Sequence, residues 1–121
     1  MIRVGINGFG RIGRSFTRAL LARGAAAGVE LAAVNDPMGD RETMAFLLKH
    51  DSVGGVLAHD VAATDDGFSI DGRAIRKLEV MNPAEIPWGD HGVDVVIEST
   101  GRFTGRADAA GHLAGGAKRV V

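Results

Sequence analysis

Ile2, Val4 and Ile6 alternate with Arg3 and Gly5, a period of two that predicts a short strand. After a cluster of glycines, Ile12, Phe16, Ala19 and Leu20 recur at helical intervals, so a helix is expected from near Gly10 to Arg23, stopped by Gly24. A second strand, Val29 to Val34, ends in the nearly continuous apolar run Leu31-Ala32-Ala33-Val34, the pattern of a parallel strand covered on both faces. Asp40 is a candidate cap for a helix through Arg41 to Lys49. Between Val56 and Leu78 come short β-prone pieces with turn signals at Asp65-Asp66-Gly67 and Asp71-Gly72. The second signal predicts a tight hairpin joining Phe68-Ser69-Ile70 to Arg73-Ala74-Ile75. Ile75 to Val80 is expected to return to the main sheet. Asn82-Pro83-Ala84-Glu85 reads as a short helix start capped by Asn82 and ended by Trp88-Gly89. Val93 to Glu98 is the next strand. Thr104 could cap a helix through Ala107, Ala110 and Leu113, and Lys118 to Val121 opens a further strand.

Strands alternating with helices predict an α/β fold, here a Rossmann-type doubly wound parallel sheet with a small antiparallel β insertion. In strand order 3-2-1-4-5 the first strand is central and the last lies at an edge, exposing unpaired backbone groups.

Gly8, Gly10 and Gly13 have the spacing G-x-G-x-x-G between the first strand and the first helix. That context gives the spacing a physical meaning. Gly8 lets the chain turn sharply off the strand, Gly10 lets a pyrophosphate approach the backbone, and Gly13 lets the helix pack on the strand. The helix start then offers unpaired N–H groups and a dipole contribution of about 0.3–2 kcal/mol to the phosphates. Asp36 ends the second strand about 20 residues past the glycines, where a ribose-binding carboxylate belongs. Its charge favours NAD over NADP by repelling a 2′-phosphate, although Arg41 would counter this if it reached the ribose. Without a ligand, the glycines are a plain strand–helix turn and Asp36 is a turn former before Pro37.

Composition narrows the classes. The 121 residues carry a formal net charge of -1, which gives no nucleic-acid footprint. Neither a membrane-length apolar run nor a secretory leader is visible, so a cytoplasmic protein is expected. Cysteine is absent, which removes disulfides, thiolate metal sites and a cysteine nucleophile from this chain. No metal site is expected: His50, His59, His91 and His112 show no ligand spacing and read as surface or loop residues. Trp88 reads as core. Ser99-Thr100-Gly101 sits at the C-terminal end of a strand, where such sheets bind ligands, or is an ordinary strand-to-helix turn. Phe103 reads from spacing as a packing residue.

Val4-Gly-Ile-Asn-Gly-Phe-Gly-Arg-Ile-Gly-Arg14 resembles the opening of phosphorylating glyceraldehyde-3-phosphate dehydrogenases. Ala33-Val34-Asn35-Asp36, Leu47-Leu48-Lys49-His50-Asp51-Ser52-Val53, Ile86-Pro87-Trp88-Gly89, Val96-Ile97-Glu98-Ser99-Thr100-Gly101 and Gly116-Ala117-Lys118 follow in the family's order and spacing. The resemblance implies NAD as cofactor, with the backbone at Arg11 and Ile12 on the pyrophosphate and Asp36 on the adenosine ribose. It places Asn7, Asn35 and Met81 toward the adenine, and Ser99, Thr100, Gly101 and Phe103 along the groove. Gly8, Phe9, Gly10 and Gly13 form the loop beneath. It also implies a phosphorylated aldehyde substrate and a homo-oligomer, a tetramer in the family. Several positions depart from the family pattern. His50 replaces a tyrosine and Gly54-Gly55 a bulkier pair near subunit contacts, Pro37 replaces a frequent leucine, and Met81-Asn82 replaces a common Arg-Asp.

Family members are more than twice as long. Residues 1–121 are therefore expected to be an incomplete NAD-binding domain, inactive alone, with the catalytic residues on a missing part. Two alternatives remain open. One is an erythrose-4-phosphate dehydrogenase, which tends to carry glutamate at the ribose position. The other is a stand-alone nucleotide-binding module without chemistry.

Overall fold

A computed structural model describes residues 1–23, 28–51, 54–101 and 106–121. Strand β1 (Ile2–Asn7) runs into helix α1 (Arg11–Arg23), and β2 (Val29–Asn35) into α2 (Arg41–Lys49). A small antiparallel pair follows, β3 (His50–Asp51) with β4 (Gly55–Val56). Next come β5 (Val61–Ala63), β6 (Gly67–Ile70) and β7 (Arg73–Leu78), then two 3-10 turns, Pro83–Glu85 and Trp88–His91. The chain closes with β8 (Val95–Glu98), α3 (Arg106–Ala114) and β9 (Arg119–Val120).

The main sheet has the order β5-β6-β7-β2-β1-β8-β9. Its β7-β2-β1-β8-β9 portion is parallel throughout and reproduces the expected 3-2-1-4-5 order, with β1 central. The insertion extends the same sheet antiparallel through β6 and β5. The β6–β7 turn places Asp71 at φ 51° and Gly72 at φ 81°. Two successive positive φ values are what a tight two-residue hairpin needs to match strand twist.

Each face of the sheet carries its own core. Val4, Ile6, Phe9, Leu31, Phe68 and Ile75 pack with Met44 and Leu48 of α2, and Phe16 and Leu20 of α1 lie against them. On the opposite face Ala33, Val93 and Val96 pack with Ile86, which follows the first 3-10 turn, and with Trp88 of the second. Two covered faces explain why β2 reads as an apolar run and not as an alternation.

Local signals account for most boundaries. The Asp40 side chain accepts a hydrogen bond from Thr43 N at 2.6 Å, capping α2, and that bond holds its carboxyl below the ordinary carboxylate range. Asn82 caps the Pro83–Glu85 turn through Ala84 N at 3.0 Å. Trp88-Gly89 does not end the helical stretch. Trp88 begins the second 3-10 turn, which closes at Gly92 with φ 67°, and β8 starts two residues later than the expected strand. The expected helix stop at Gly24 and the cap at Thr104 lie outside the described residues. Among the described residues no helix is long and apolar enough to cross a membrane.

Candidate functional site

The three motif glycines do three separate things. Gly8 has φ +89°, and a Cβ there would lie 2.7 Å from Thr100 Cγ2 and 2.9 Å from the Thr100 backbone. A Cβ on Gly13 would lie 2.7 Å from Gly8 O and 3.0 Å from Ile6 Cγ2, so the absent side chain is what allows α1 to sit on β1. At Gly10 a Cβ meets nothing within 4 Å and would project into open space. The first α-helical bond runs from Arg14 N to Gly10 O at 3.0 Å. The N–H groups of the preceding first turn, at Arg11 and Ile12, have no intrahelical acceptor. Arg14 Nη1 donates to Phe9 O at 3.0 Å and holds the loop from outside.

Above this turn lies a groove of about 240 Å³ lined by Asn7, Gly8, Gly10, Asp36, Pro37, Met38, Val80, Met81, Ser99 and Thr100. It opens at the C-terminal ends of β1, β2, β7 and β8, where the strand order reverses. Asp36 reaches it from the end of β2. Its Oδ2 accepts from Phe9 N and its Oδ1 from Met38 N, both at 2.9 Å, so the carboxylate stitches the glycine loop to the following turn. A carboxylate has about four acceptor positions, so both oxygens retain capacity for a ligand's hydroxyls. Pro37, Met38, Val80 and Met81 form an apolar wall beside it, with Met38 and Met81 largely exposed at the rim. Arg41 does not bear on this carboxylate through a hydrogen bond: its guanidinium donates to Thr64 O in the insertion.

Several sequence-nominated residues act from behind the groove. The Phe9 ring is buried against Phe68, with centroids 5.4 Å apart, so Phe9 serves the loop through its backbone. The Arg11 side chain faces a separate basic cleft with Arg14, Arg18 and His50. Asn35 is buried; its Nδ2 donates to Asn7 Oδ1 at 2.8 Å and to Val80 O at 2.9 Å. Ser99 Oγ donates to Gly8 O at 2.6 Å. Gly101 is exposed, with φ 75°. Phe103 lies outside the described residues.

Two residues that sequence reasoning did not nominate close the back of the site. Glu98 Oε1 accepts from Asn7 Nδ2 at 2.8 Å and from His112 Nε2 at 2.6 Å. Glu98 Oε2 accepts from Thr100 N at 3.0 Å and Thr100 Oγ1 at 2.7 Å. His112 is fully buried, contrary to its reading as a surface or loop residue. Gly111 allows the close approach, since a Cβ there would sit 3.3 Å from Ala84 N, and α3 turns His112 inward while leaving Leu113 half exposed. Trp88 Nε1 donates to His112 Nδ1 at 3.0 Å, which leaves the imidazole proton on Nε2, facing Glu98. One signal for Glu98 was available: a carboxylate that follows Val95-Val96-Ile97 in a strand buried on both faces must find donors inside.

Burial is the largest single influence on Glu98 and pushes its carboxyl up, but hydrogen bonds from His112, Asn7 and Thr100 together outweigh it and hold the group below its ordinary 4.5. A depressed folded-state pKa contributes stability that is full above 4.5 and is lost as pH falls through the folded value. Acid unfolding of the wild type below pH 4.5 is therefore expected to be steeper than that of Glu98→Gln, which has no proton to take up at this position. Urea midpoints measured from pH 7 downward check this, and parallel curves would count against it.

A larger cavity, about 380 Å³, lies between α1, β2 and the β6–β7 hairpin. Its polar groups pair with one another, Arg73 with Glu30 and His59 with Asp71, so it lacks the converging unpaired groups of a ligand site. Among the described residues no three His, Asp or Glu side chains could share a metal ion.

The groove geometry agrees with the comparisons to known proteins. A family model described as the NAD-binding domain of glyceraldehyde 3-phosphate dehydrogenase matches residues 2–106. The chain belongs to that family. It is 58% identical over 120 residues to glyceraldehyde-3-phosphate dehydrogenase of Streptomyces coelicolor, covering 99% of this chain and 35% of that protein. It is 56% identical over 124 residues to the Mycobacterium tuberculosis enzyme of the same name, covering 99% of this chain and 36% of the relative. Glyceraldehyde-3-phosphate dehydrogenase 1 of Bacillus cereus is 46% identical over 121 residues, covering 100% and 35%. The chain thus spans about a third of the length of these relatives. NAD is the cofactor of this domain family, and the residues fit it: an open backbone at Gly10, free first-turn N–H groups and a carboxylate with spare acceptor capacity.

Proposed function

We propose that residues 1–121 are the NAD-binding portion of a dehydrogenase that oxidises and phosphorylates glyceraldehyde 3-phosphate to 1,3-bisphosphoglycerate. The single observation that carries the binding half is the convergence of the glycine turn and Asp36 on one groove. The N–H groups of Arg11 and Ile12 hold the pyrophosphate, aided by the start of α1. Asp36 takes the adenosine ribose hydroxyls, and Pro37, Met38, Val80 and Met81 flank the adenine. Ser99, Thr100 and Gly101 line the run toward the nicotinamide. When bound, NAD supplies the hydride acceptor.

The chemical half rests on the names of the relatives. The covalent step of aldehyde oxidation needs a nucleophile, and with no cysteine here the 121-residue chain alone is inactive in this reading. In this reading the dehydrogenase takes a small phosphorylated aldehyde as its substrate and assembles as a homotetramer.

Isothermal titration of this chain with NAD and NADP tests the binding half. Wild type is expected to prefer NAD. Asp36→Ala is expected to lose about tenfold or more in NAD affinity, the scale of a hydrogen bond to a charged group, and to lose the discrimination against NADP. Equal affinities in wild type and variant would remove Asp36 from the site.

A further inference from the structure

Glu98 is not among the groove-lining residues, yet two of its hydrogen-bond partners, Asn7 and Thr100, are. We propose that Glu98 is a positioning residue that anchors one end of a hydrogen-bond chain beneath the groove, and through it holds the shape and affinity of the nucleotide site. The proposal rests on the nucleotide reading of that groove.

The reasoning starts from donor and acceptor counts. An ionised carboxylate only accepts, at about four positions, and Glu98 receives four donors, from Asn7, His112 and twice from Thr100. Asn7 must therefore present its NH2 to Glu98, which leaves its Oδ1 facing Asn35. Asn35 must in turn present its NH2 to Asn7, which leaves its Oδ1 to accept from Val80 N at 2.9 Å. Asn35 is held at its far end as well, since its Nδ2 also donates to Val80 O at 2.9 Å, so the Val80 backbone and the Glu98 carboxylate demand the same amide orientations from opposite ends. The chain crosses β8, β1 and β2 and reaches the segment after β7, so Glu98 at one end and the Val80 backbone at the other hold Asn7 and Asn35 between them, and Asn7, Thr100 and Val80 are three positions of the groove lining. On its other side Trp88 fixes the His112 tautomer, so His112 also donates to Glu98. Buried polar networks of this kind specify one arrangement when every member is satisfied. Among the described residues no buried side-chain N or O lacks a partner.

Glu98→Gln tests the anchor because it keeps the shape and adds a donor where every neighbour already donates. In ¹⁵N-resolved NMR of this chain without ligand, the Asn35 side-chain amide and the Val80 backbone amide are expected to shift, although neither touches residue 98. NAD affinity by calorimetry is expected to fall about tenfold. His112→Gln, which can still accept from Trp88 and donate to Glu98, is expected to retain more of the wild-type spectrum and affinity than His112→Leu. A folded Glu98→Gln chain with unmoved Asn35 and Val80 signals, or a lowered Tm with unchanged NAD affinity, would overturn the proposal and leave Glu98 a merely structural residue. If Glu98→Gln does not fold, wild-type NOEs decide: the Asn7 NH2 protons belong beside the Glu98 side chain, and finding them turned toward Asn35 overturns the ordering. Wild type that shows this ordering but binds no NAD would sink the nucleotide reading and the affinity claim, while the ordering itself would stand.

Discussion

Gly8→Val is expected to abolish NAD binding and to destabilise the fold. The glycine sits at φ +89°, where a β-branched residue is strained on its own account. The added Cβ would also meet the backbone N and Cα of Thr100 at 2.9 Å. Neither side can yield cheaply. Gly8 N is bonded to Asn35 O at 2.8 Å, and Thr100 N is held by Glu98. The loop must therefore move as a unit, which takes the first turn of α1 and the Asp36–Phe9 bond with it. Overpacking and backbone strain each cost about 1–3 kcal/mol, so a loss of several kcal/mol is expected in thermal or urea unfolding. Gly10→Ala is the companion that separates binding from folding. Its methyl enters open space at a φ that is not positive, so stability should change little while NAD affinity falls because the methyl occupies the pyrophosphate's approach. A Gly8→Val chain that binds NAD like wild type, or a Gly10→Ala chain with undiminished affinity, would contradict the assignment of the glycines.

Trp88→Ala is expected to be the most destabilising single truncation. The indole is fully buried in the core of the face opposite α1 and α2. It presses so closely on β1 that a Cβ on Gly5 would lie 2.5 Å from its Cζ3. Removing such a side chain costs about 3–5 kcal/mol, a large share of the roughly 5–15 kcal/mol that holds a domain together. The variant also leaves His112 Nδ1 without the Trp88 donor, inside a site closed to water. Urea unfolding followed by circular dichroism measures the loss, since Trp88 is the only tryptophan and its own fluorescence disappears with it. Trp88→Phe keeps most of the volume and removes the N–H, so its smaller deficit apportions packing against the hydrogen bond. A Trp88→Ala midpoint within experimental error of wild type would show that this face contributes little.

Much of this protein was determined by the sequence by itself, because the signals concerned are local. The strand–glycine–helix succession needs only backbone sterics, and Gly8, Gly10 and Gly13 each occupy the place their spacing implied. Asp40 and Asn82 cap the turns they precede because a short side-chain acceptor reaches N–H groups two or three residues on. The hairpin at Asp71-Gly72 follows from the φ values those residues tolerate. The tertiary structure alone decided what depends on residues far apart in the chain. Asn35, placed toward the adenine by resemblance, has its side chain buried behind Asn7. Phe9 turns its ring to Phe68, which lies 59 positions away by number but across the sheet in space. His112 reads as a surface residue because a single imidazole in a short helix has no periodic partner. Its burial makes sense only once Trp88, 24 residues earlier, and Glu98, 14 residues earlier, converge on it. Periodicity records which face of an element is apolar. It does not record which buried polar atoms will find one another, since that is set by the packing of β1, β8 and α3 and by the requirement that each buried donor meet an acceptor.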